Sequence, residues 1–263
     1  MDFGKWGELI DVFLEKNSQI NLSAIRDAEG VYVKHVLDSL ELLKIFSFSS
    51  GQVVCDLGTG WGFPLLPLAI ESPDVRFVGM DARKKKIDAI AAIVASLKLQ
   101  AASDDFLENV DLVWSRVEEW SAGGWQQKAA NWKLQETLYL ASNNWIASSQ
   151  NSSPQGHFLA DAHSAQWQIP KKFDVVMARA VAHVEKLIPW MIQIVKKKGT
   201  LILYKEKKPK AEGLKQKGEY EILLELCQKY KISIQKEHSY VLEEWGVDPV
   251  ASYGARRVIY ILH

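Results

Sequence analysis

The sequence predicts an α/β fold, in which a mostly parallel, seven-stranded sheet carries helices on both faces and follows an N-terminal helical cap. Apolar strand segments alternate with helical segments along most of the 263 residues. Two further strand segments close the chain with no helix between them, which predicts an antiparallel edge. With 48% apolar and 24% charged residues, the chain can fill the core of one main domain.

The N-terminal cap, residues 1–50, is predicted as two helices. Apolar residues recur every three or four positions from Phe3 to Leu14 and again from Val31 to Leu43, which gives each helix one apolar face. The polar stretch Asn17–Asp27 predicts a turn between them. Both helices therefore precede the first strand.

The α/β core is predicted over residues 51–120 and 171–263. Its first strand begins at Val53, and the next helix tolerates Pro64 and Pro67 because N–H groups in a first turn lack helical partners. Lys198 and Gly199 predict a turn before the fifth strand. The other strands are predicted at Val75–Met80, Val110–Trp114, Phe173–Ala178, Thr200–Tyr204, Ile232–Tyr240 and Arg257–Leu262, and the other helices at Lys84–Leu97, Val184–Val195 and Glu212–Tyr230.

Residues 121–170 form a long insertion between the third and fourth strands, rich in Ser, Asn, Gln, Ala and Trp. A structureless loop of this length is unusual inside a compact domain, so we expect one or two helices within it. Two interpretations stay open. The insertion packs on the surface, or it is an additional element that binds RNA or another partner.

Charge and cysteine content disfavour several classes of protein. Lys and Arg number 32, as do Asp and Glu, so attraction to nucleic acid has to come from local clusters. Cys55 and Cys227 have no motif spacing, which disfavours a disulfide or a metal site. No apolar run reaches the roughly 18–20 residues of a membrane span, and the N-terminus lacks a signal-peptide pattern. We expect a cytoplasmic monomer without metal or membrane contact.

The glycine-rich turn after the first strand is the strongest functional signal. Asp56 is followed by Gly58, Gly60 and Gly62, whereas a dinucleotide-binding turn needs a G-x-G-x-x-G register, so a NAD-dependent oxidoreductase is disfavoured. D-x-G-x-G-x-G after a strand is typical of proteins that bind S-adenosylmethionine (AdoMet). We expect Gly58 and Gly60 to let the backbone approach the methionine part of AdoMet, with N–H groups of the turn and of Phe63 facing the ligand.

Charged residues near strand ends complete the predicted site. Asp81 ends the second strand, where a carboxylate can accept hydrogen bonds from the ribose hydroxyls, although it could instead cap a helix. Arg179 ends the fourth strand, where its guanidinium can hold the cofactor carboxylate or an RNA phosphate, or form a structural ion pair. His35 and Asp38 share one helix face, either at the RNA entrance or as a solvated pair.

Several separated segments, taken together, carry a more specific pattern. They are residues 21–27 (NLSAIRD), His35-x-x-Asp38-Ser39-Leu40, the glycine turn with Pro64 and Pro67, residues 115–119 (SRVEE), residues 177–180 (MARA), and the late Lys205 and Arg256. This pattern resembles the bacterial 16S ribosomal RNA guanine-N7 methyltransferases (RsmG, also called GidB), from about residue 5 to 120 and from 172 to 263. The chain departs from that family at Trp61, at Glu206 and in the insertion.

The resemblance implies the Rossmann-like fold of AdoMet-dependent methyltransferases, and methyl transfer to N7 of a guanine in 16S ribosomal RNA, at guanosine 527. It implies that Val117 and Glu118 contact the adenine, and that Arg179 and Lys205 orient the reactants. We expect RNA to contact His35, Lys205, Lys207, Lys208 and Arg256. The partner would be 16S ribosomal RNA or a small-subunit assembly intermediate.

The reaction itself makes few demands on the protein. N7 of guanine carries a lone pair and no proton, so its attack on a methyl group needs orientation but no general base. Methylation of exocyclic amines usually relies on an N/D-P-P-Y/F segment, where this chain has Ala178-Arg179-Ala180-Val181. No cysteine is placed for pyrimidine C5 methylation. Two alternatives stay open: a methyltransferase of a small molecule or protein, and a non-catalytic module that binds AdoMet or RNA.

Overall fold

A seven-stranded sheet forms the centre of the protein. The computed structural model describes residues 2–21, 23–101, 106–121, 169–206, 218–242 and 257–263. The strands are β1 (Val53–Leu57), β2 (Arg76–Asp81), β3 (Val110–Trp114), β4 (Phe173–Arg179), β5 (Val195–Glu206), β6 (Ile234–Tyr240) and β7 (Arg257–Leu262). Their order in the sheet is β3-β2-β1-β4-β5-β7-β6; β1 to β5 are parallel, and β7 is antiparallel to both β5 and β6. The predicted fold class is confirmed.

The helices cover both faces of this sheet. They are α1 (Gly7–Ile20), α2 (Ala28–Val31), α3 (Asp38–Leu40), α4 (Leu65–Glu71), α5 (Lys84–Gln100), α6 (Val117–Ser121), α7 (Val184–Ile194) and α8 (Glu219–Tyr230). The second predicted helix is not uniform, because a π-helical segment at Tyr32–Leu37 separates α2 from α3 and a 3₁₀ turn follows at Glu41–Lys44. Among the described helices, none is long and apolar enough to cross a membrane.

Two apolar layers follow from the alternation of side chains along the strands. Val54, Val175 and Met177 belong to the layer formed with the N-terminal helices, α4 and α5. Their chain neighbours Cys55 and Val176 belong to the opposite layer, with α6, α7 and α8. Because both faces of the central strands are covered, nearly every residue along them is buried, and the ends of the strands are left to carry polar groups.

Two element boundaries differ from the sequence expectation for reasons that the contacts show. The polar turn begins only after Ile20, because buried Asn17 uses its side chain to bind Ser23 N and Ile25 O and so extends α1. β5 begins at Val195 and includes the predicted Lys198-Gly199 turn. Most of the insertion, 122–168, and the start of the last predicted helix lie outside the described residues.

Candidate cofactor and RNA site

A cleft of about 370 Å³ opens at the carboxyl edge of the sheet. Open α/β sheets bind ligands at this edge, where loops between strands and helices separate. Four predicted cofactor residues line the cleft, namely Gly58, Asp81, Val117 and Glu118. Arg83, Lys86, Arg116, Val181 and Trp190 also line it, although sequence reasoning did not assign them to the cofactor. A larger hollow of about 580 Å³ lies at the amino edge, and no predicted site residue lines it.

The glycines of the turn allow its left-handed backbone, and three of its N–H groups are used inside the protein. Gly58, Gly60 and Gly62 have φ values of 71°, 62° and 90°, a region that residues with a side chain rarely adopt. The N–H groups of Gly58 and Thr59 donate to the carbonyl of Met80, and Gly60 N donates to a carboxylate oxygen of Asp81. The prediction that these N–H groups face the ligand is therefore wrong for these three positions.

Asp81 is bound to the glycine turn and still keeps acceptor capacity. One carboxylate oxygen accepts from Arg83 N at 2.8 Å, and the other accepts from Gly60 N at 3.2 Å and lies 3.6 Å from Lys86 Nζ. A carboxylate has about four lone-pair positions, so a ribose hydroxyl can still donate to it. The alternative, in which Asp81 is the N-cap of α5, is wrong, because Arg83 occupies the N-cap position and makes no side-chain capping bond.

Lys86 connects Asp81 to Trp61, one of the positions where the chain departs from the RsmG pattern. Its Nζ lies 5.1 Å from the centre of the Trp61 ring, a cation–π distance, and 3.6 Å from Asp81. Trp61 therefore packs over a lysine at the rim of the cleft. Sequence reasoning missed this contact, because nothing in the spacing of the glycines indicates which way the Trp61 ring turns.

Asp56 lies beneath the glycine turn with no partner for its carboxylate. The residue is 0% exposed, and among the described residues neither of its oxygens, nor the nearby hydroxyl of Thr59, has a hydrogen bond. Burial raises the pKa of Asp56 to about 7, although the Thr59 hydroxyl and the charge of Arg179 favour ionisation. Because a pKa of about 7 leaves part of the Asp56 population protonated at neutral pH, the cost of burying the group is reduced.

Arg179 extends from the end of β4 to the N-terminal helices. One terminal nitrogen lies 3.0 Å from Asp38 Oδ2 and 3.2 Å from Ser39 Oγ. The other donates to the carbonyl of Lys34 at 3.0 Å and to His35 Nδ1 at 3.1 Å. The structural ion pair, which the sequence left as an alternative, is therefore present, and a direct contact between Arg179 and the cofactor stays a prediction.

His35 is enclosed by aromatic rings and hydrogen bonds. Its ring stacks on Phe63 at 4.8 Å, Phe13 meets it edge-on at 5.6 Å, and its Nε2 lies 3.3 Å from Ser23 Oγ. Because Arg179 has only protons to offer, Nδ1 accepts and the single proton of the neutral ring is assigned to Nε2. The Phe63 ring thus packs the glycine turn against the cap. The contact between Phe63 N–H and AdoMet stays a prediction, and so does the contact between His35 and RNA.

We expect His35 to make the protein less stable in acid. Burial and, next, the charge of Arg179 lower the pKa of His35 from 6.5 to about 3. The stabilisation from the neutral ring is therefore complete above pH 6.5 and is lost as the pH falls towards 3. Urea unfolding should show a shallower acid decline for His35→Gln than for wild type. The exposed His183→Gln is the control, and equal declines for His35→Gln and wild type would contradict the expectation.

Asp38 is the centre of a buried polar cluster and not one half of a solvated pair. It is 1% exposed, and it accepts from the Tyr240 hydroxyl at 2.8 Å and Arg257 Nη1 at 2.7 Å, in addition to Arg179. Ser39 adds a neighbouring bond, because its carbonyl accepts from Tyr204 at 2.9 Å. The cluster joins the cap to the ends of four strands, so the solvated-pair interpretation is wrong.

The predicted RNA lysine Lys205 also has partners inside the protein. Its Nζ donates to the carbonyl of Ala182 at 2.6 Å and to Glu219 Oε1 at 2.7 Å, and its side chain is 12% exposed. Glu219 also accepts from Val184 N, so Lys205 holds together the starts of α7 and α8. Lys207, Lys208 and Arg256 lie outside the described residues, and their contacts with RNA stay predictions.

Comparison with known families identifies the class to which this site belongs. The family described as "GidB: rRNA small subunit methyltransferase G" matches residues 4–131 and 157–240, which is most of the chain. The chain belongs to the GidB family. The match includes the cap, the glycine turn and strands β1 to β5, so the resemblance drawn from separated motifs is confirmed.

Individual members of the GidB family align with this chain over fewer residues than the family match covers. "Ribosomal RNA small subunit methyltransferase G" of Lachnoclostridium phytofermentans is 29% identical over 198 residues, 75% of this chain and 61% of that protein. The Flavobacterium psychrophilum protein of the same name is 42% identical over 89 residues, 34% of this chain and 43% of that protein. The chain thus matches less than two thirds of the length of these relatives. A SAM-dependent methyltransferase from Thiobacillus denitrificans aligns over 100% of this chain and 99% of its own, at 11% identity and TM-score 0.48.

The cofactor of the GidB family is AdoMet, and the residues of the cleft fit it. Asp56 is fully buried beneath the turn and does not line the cleft, so the fit rests on the turn and on Asp81. The spare lone pairs of Asp81 suit ribose hydroxyls. At Gly60, an added Cβ would contact the Gly58 carbonyl oxygen at 3.7 Å and Lys86 Nζ at 3.8 Å without a clash.

Proposed function

We propose that this protein transfers a methyl group from AdoMet to N7 of a guanine in 16S ribosomal RNA, at guanosine 527. The observation that carries the proposal is the cleft between the glycine turn and Asp81 at the carboxyl edge of a GidB-family sheet. Bound AdoMet would supply an electrophilic methyl group. The protein would bind the cofactor, hold the guanine in line with it and exclude water.

Within this proposal, each part of the cleft holds a different part of the cofactor. The turn at Gly58 and Gly60 would face the methionine part, with Phe63 at the helix start. Asp81 would accept from the ribose hydroxyls, and Val117 and Glu118 would contact the adenine. Arg179 would orient the reactants indirectly, because its bonds to the cap hold the carboxyl end of β4 in place.

The rim of the cleft carries exposed positive charge that suits RNA. Arg83, Lys85 and Arg116 are all exposed, and Arg83 and Arg116 line the cleft directly. Phosphate contacts from such groups position RNA without reading its sequence. Lys205, Lys207, Lys208, Arg256 and His35 are the further RNA contacts that we propose from the sequence.

The proposal is tested by incubating the full chain with labelled AdoMet and unmodified small-subunit ribosomal RNA, followed by mapping of the modified base. Label at N7 of guanosine 527 is the expected result. Label at another base, or on protein or small molecules only, would contradict the proposed substrate. Cofactor binding without transfer to any substrate would favour the non-catalytic alternative.

Replacing Asp81 should weaken cofactor binding more than it weakens the fold. Asp81→Asn keeps an acceptor for one N–H group but removes the charge and one of the two equivalent oxygens, so we expect the Kd for AdoMet to rise by about tenfold, or about 1.4 kcal/mol. Calorimetry with AdoMet and its demethylated product measures this. The control is Asp88→Asn, an exposed carboxylate that pairs with Lys84 on α5. Equal affinities for the two variants would contradict the ribose role.

A further inference from the structure

A second cluster of positive charge lies at the amino edge of the sheet, opposite the cleft. It comprises Lys171 and Lys172, which precede β4, and Lys196, Lys197 and Lys198 at the start of β5. We call these five residues the amino-edge lysines. All five are exposed, in a chain whose total charge is zero.

The backbone that carries the amino-edge lysines is held in place. Trp120, which is 0% exposed, donates from its indole to the carbonyl of Lys171 at 3.1 Å, and Lys172 Nζ reaches the carbonyl of Val195 at 3.3 Å. A Cβ at Gly199 would lie 2.7 Å from the carbonyl oxygen of Asp174, so the glycine lets the start of β5 pack closely against β4. The two lysine segments are therefore neighbours on a preformed surface.

Little negative charge offsets these lysines. Asp174 is the one acidic residue within the two segments 171–174 and 196–199, and it binds Lys196 Nζ at 2.7 Å and Val53 N at 3.0 Å. The segments thus carry an excess of four positive charges. Among the described residues, no carboxylate lies within ion-pair distance of Lys197 or Lys198.

We propose that the amino-edge lysines bind phosphates of the same RNA whose guanine enters the cleft. This inference rests on the proposed function. Lysine is a point charge that suits phosphate oxygens and reads no base. The large apolar side chains exposed in the described structure, Leu99, Trp114, Tyr220 and Leu224, lie outside this cluster, so nothing there would insert into a membrane. β4 has seven residues, which separates the cluster from the cleft by about 20 Å.

The distance between the cleft and the amino-edge lysines sets a minimum size for an RNA that contacts both. A single nucleotide or a very short strand in the cleft cannot reach the amino-edge lysines, whereas a folded RNA of the size of a ribosomal domain can lie along the side of the sheet. The amino-edge lysines would therefore raise the affinity for large RNA and leave the chemical step unchanged.

The test compares Lys197→Gln/Lys198→Gln with Lys5→Gln/Lys44→Gln, a control pair that removes the same charge from exposed lysines of the cap. For each phosphate that a substituted lysine no longer neutralises, the salt slope of RNA binding should fall by about 0.7–0.9. We expect the amino-edge pair to raise Kd and KM for small-subunit RNA by about tenfold at physiological salt, with kcat and AdoMet affinity unchanged. The control pair should change none of these.

Three outcomes would overturn the proposal. The two pairs could behave alike, the Kd could rise without the KM, or the amino-edge pair could lose binding to anionic phosphatidylserine vesicles while keeping RNA affinity. Failure of the proposed function gives a different result, because the wild-type protein would then transfer no methyl group to RNA. The salt dependence of RNA binding would still show whether the amino-edge lysines contact phosphates.

Discussion

Asp38→Ala is expected to lower the free energy of unfolding by about 3–5 kcal/mol, the range found when one partner of a buried ion pair is removed. The carboxylate is 1% exposed and accepts hydrogen bonds from Arg179, Arg257 and Tyr240. Without it, two largely buried guanidinium groups would face each other with no negative charge between them. Urea unfolding of the full chain measures the loss.

Asp11→Ala is the matched control for this prediction, because Asp11 is an exposed carboxylate on α1. Its effect should stay within about 0.5 kcal/mol of wild type. Arg257→Met, alone and combined with Asp38→Ala, completes a double-mutant cycle, and we expect a coupling energy above about 1 kcal/mol. A loss below about 1 kcal/mol for Asp38→Ala would show that the cluster does not hold the cap to the sheet.

Gly58→Ala should have the largest effect on the proposed cofactor cleft. The residue has φ of 71°, and an added Cβ would lie 2.6 and 2.8 Å from the two methyl carbons of Val181. Either Val181 or the turn has to move, and both line the cleft. Overpacking of this kind costs about 1–3 kcal/mol. Where this cost destabilises the conformation that binds AdoMet, the affinity for AdoMet drops by about ten- to hundredfold. Calorimetry measures this decrease.

Gly51→Ala separates backbone strain from this clash. Gly51 has φ of 78°, but an added Cβ there would meet nothing within 4 Å. Both variants should share the cost of the left-handed backbone, about 1–2 kcal/mol, while Gly51→Ala should bind AdoMet as wild type does. Val181→Ala should restore part of the affinity that Gly58→Ala removes. Equal affinity decreases for the two glycine variants, or no rescue, would count against the mechanism.

Most of the fold could be predicted because its signals are local. The alternation of apolar strands and helices indicated the parallel sheet, and β3 and β7 have the predicted bounds. The split of the second cap helix by a π-helical segment has no comparable local signal. The early start of β5 was missed because Lys198-Gly199 resembles a turn in sequence, whereas in the structure Gly199 serves close packing against Asp174.

The residues of the proposed cofactor cleft were easier to place from the sequence than the charges around them. Gly58, Asp81, Val117 and Glu118 line one cleft, because strand ends bring them to one edge whatever the details of packing. The partners of Arg179 are 140 to 145 residues away in sequence, and Arg257 is 219 residues from Asp38. Nothing in a single sequence pairs residues over such separations. The sequence left a structural ion pair open for Arg179 without naming its partners, and it placed His35 at the RNA entrance or in solvent. The structure shows the two residues bound to each other.

The indole of Trp120 has one more consequence. By reaching the carbonyl of Lys171, it brings the place where the chain leaves α6 next to the place where it enters β4. When two such points are neighbours, even a doubling of the length between them costs only about 0.6 kcal/mol of closure entropy. The junction between α6 and β4 can therefore accommodate connections of very different length at little cost in closure entropy.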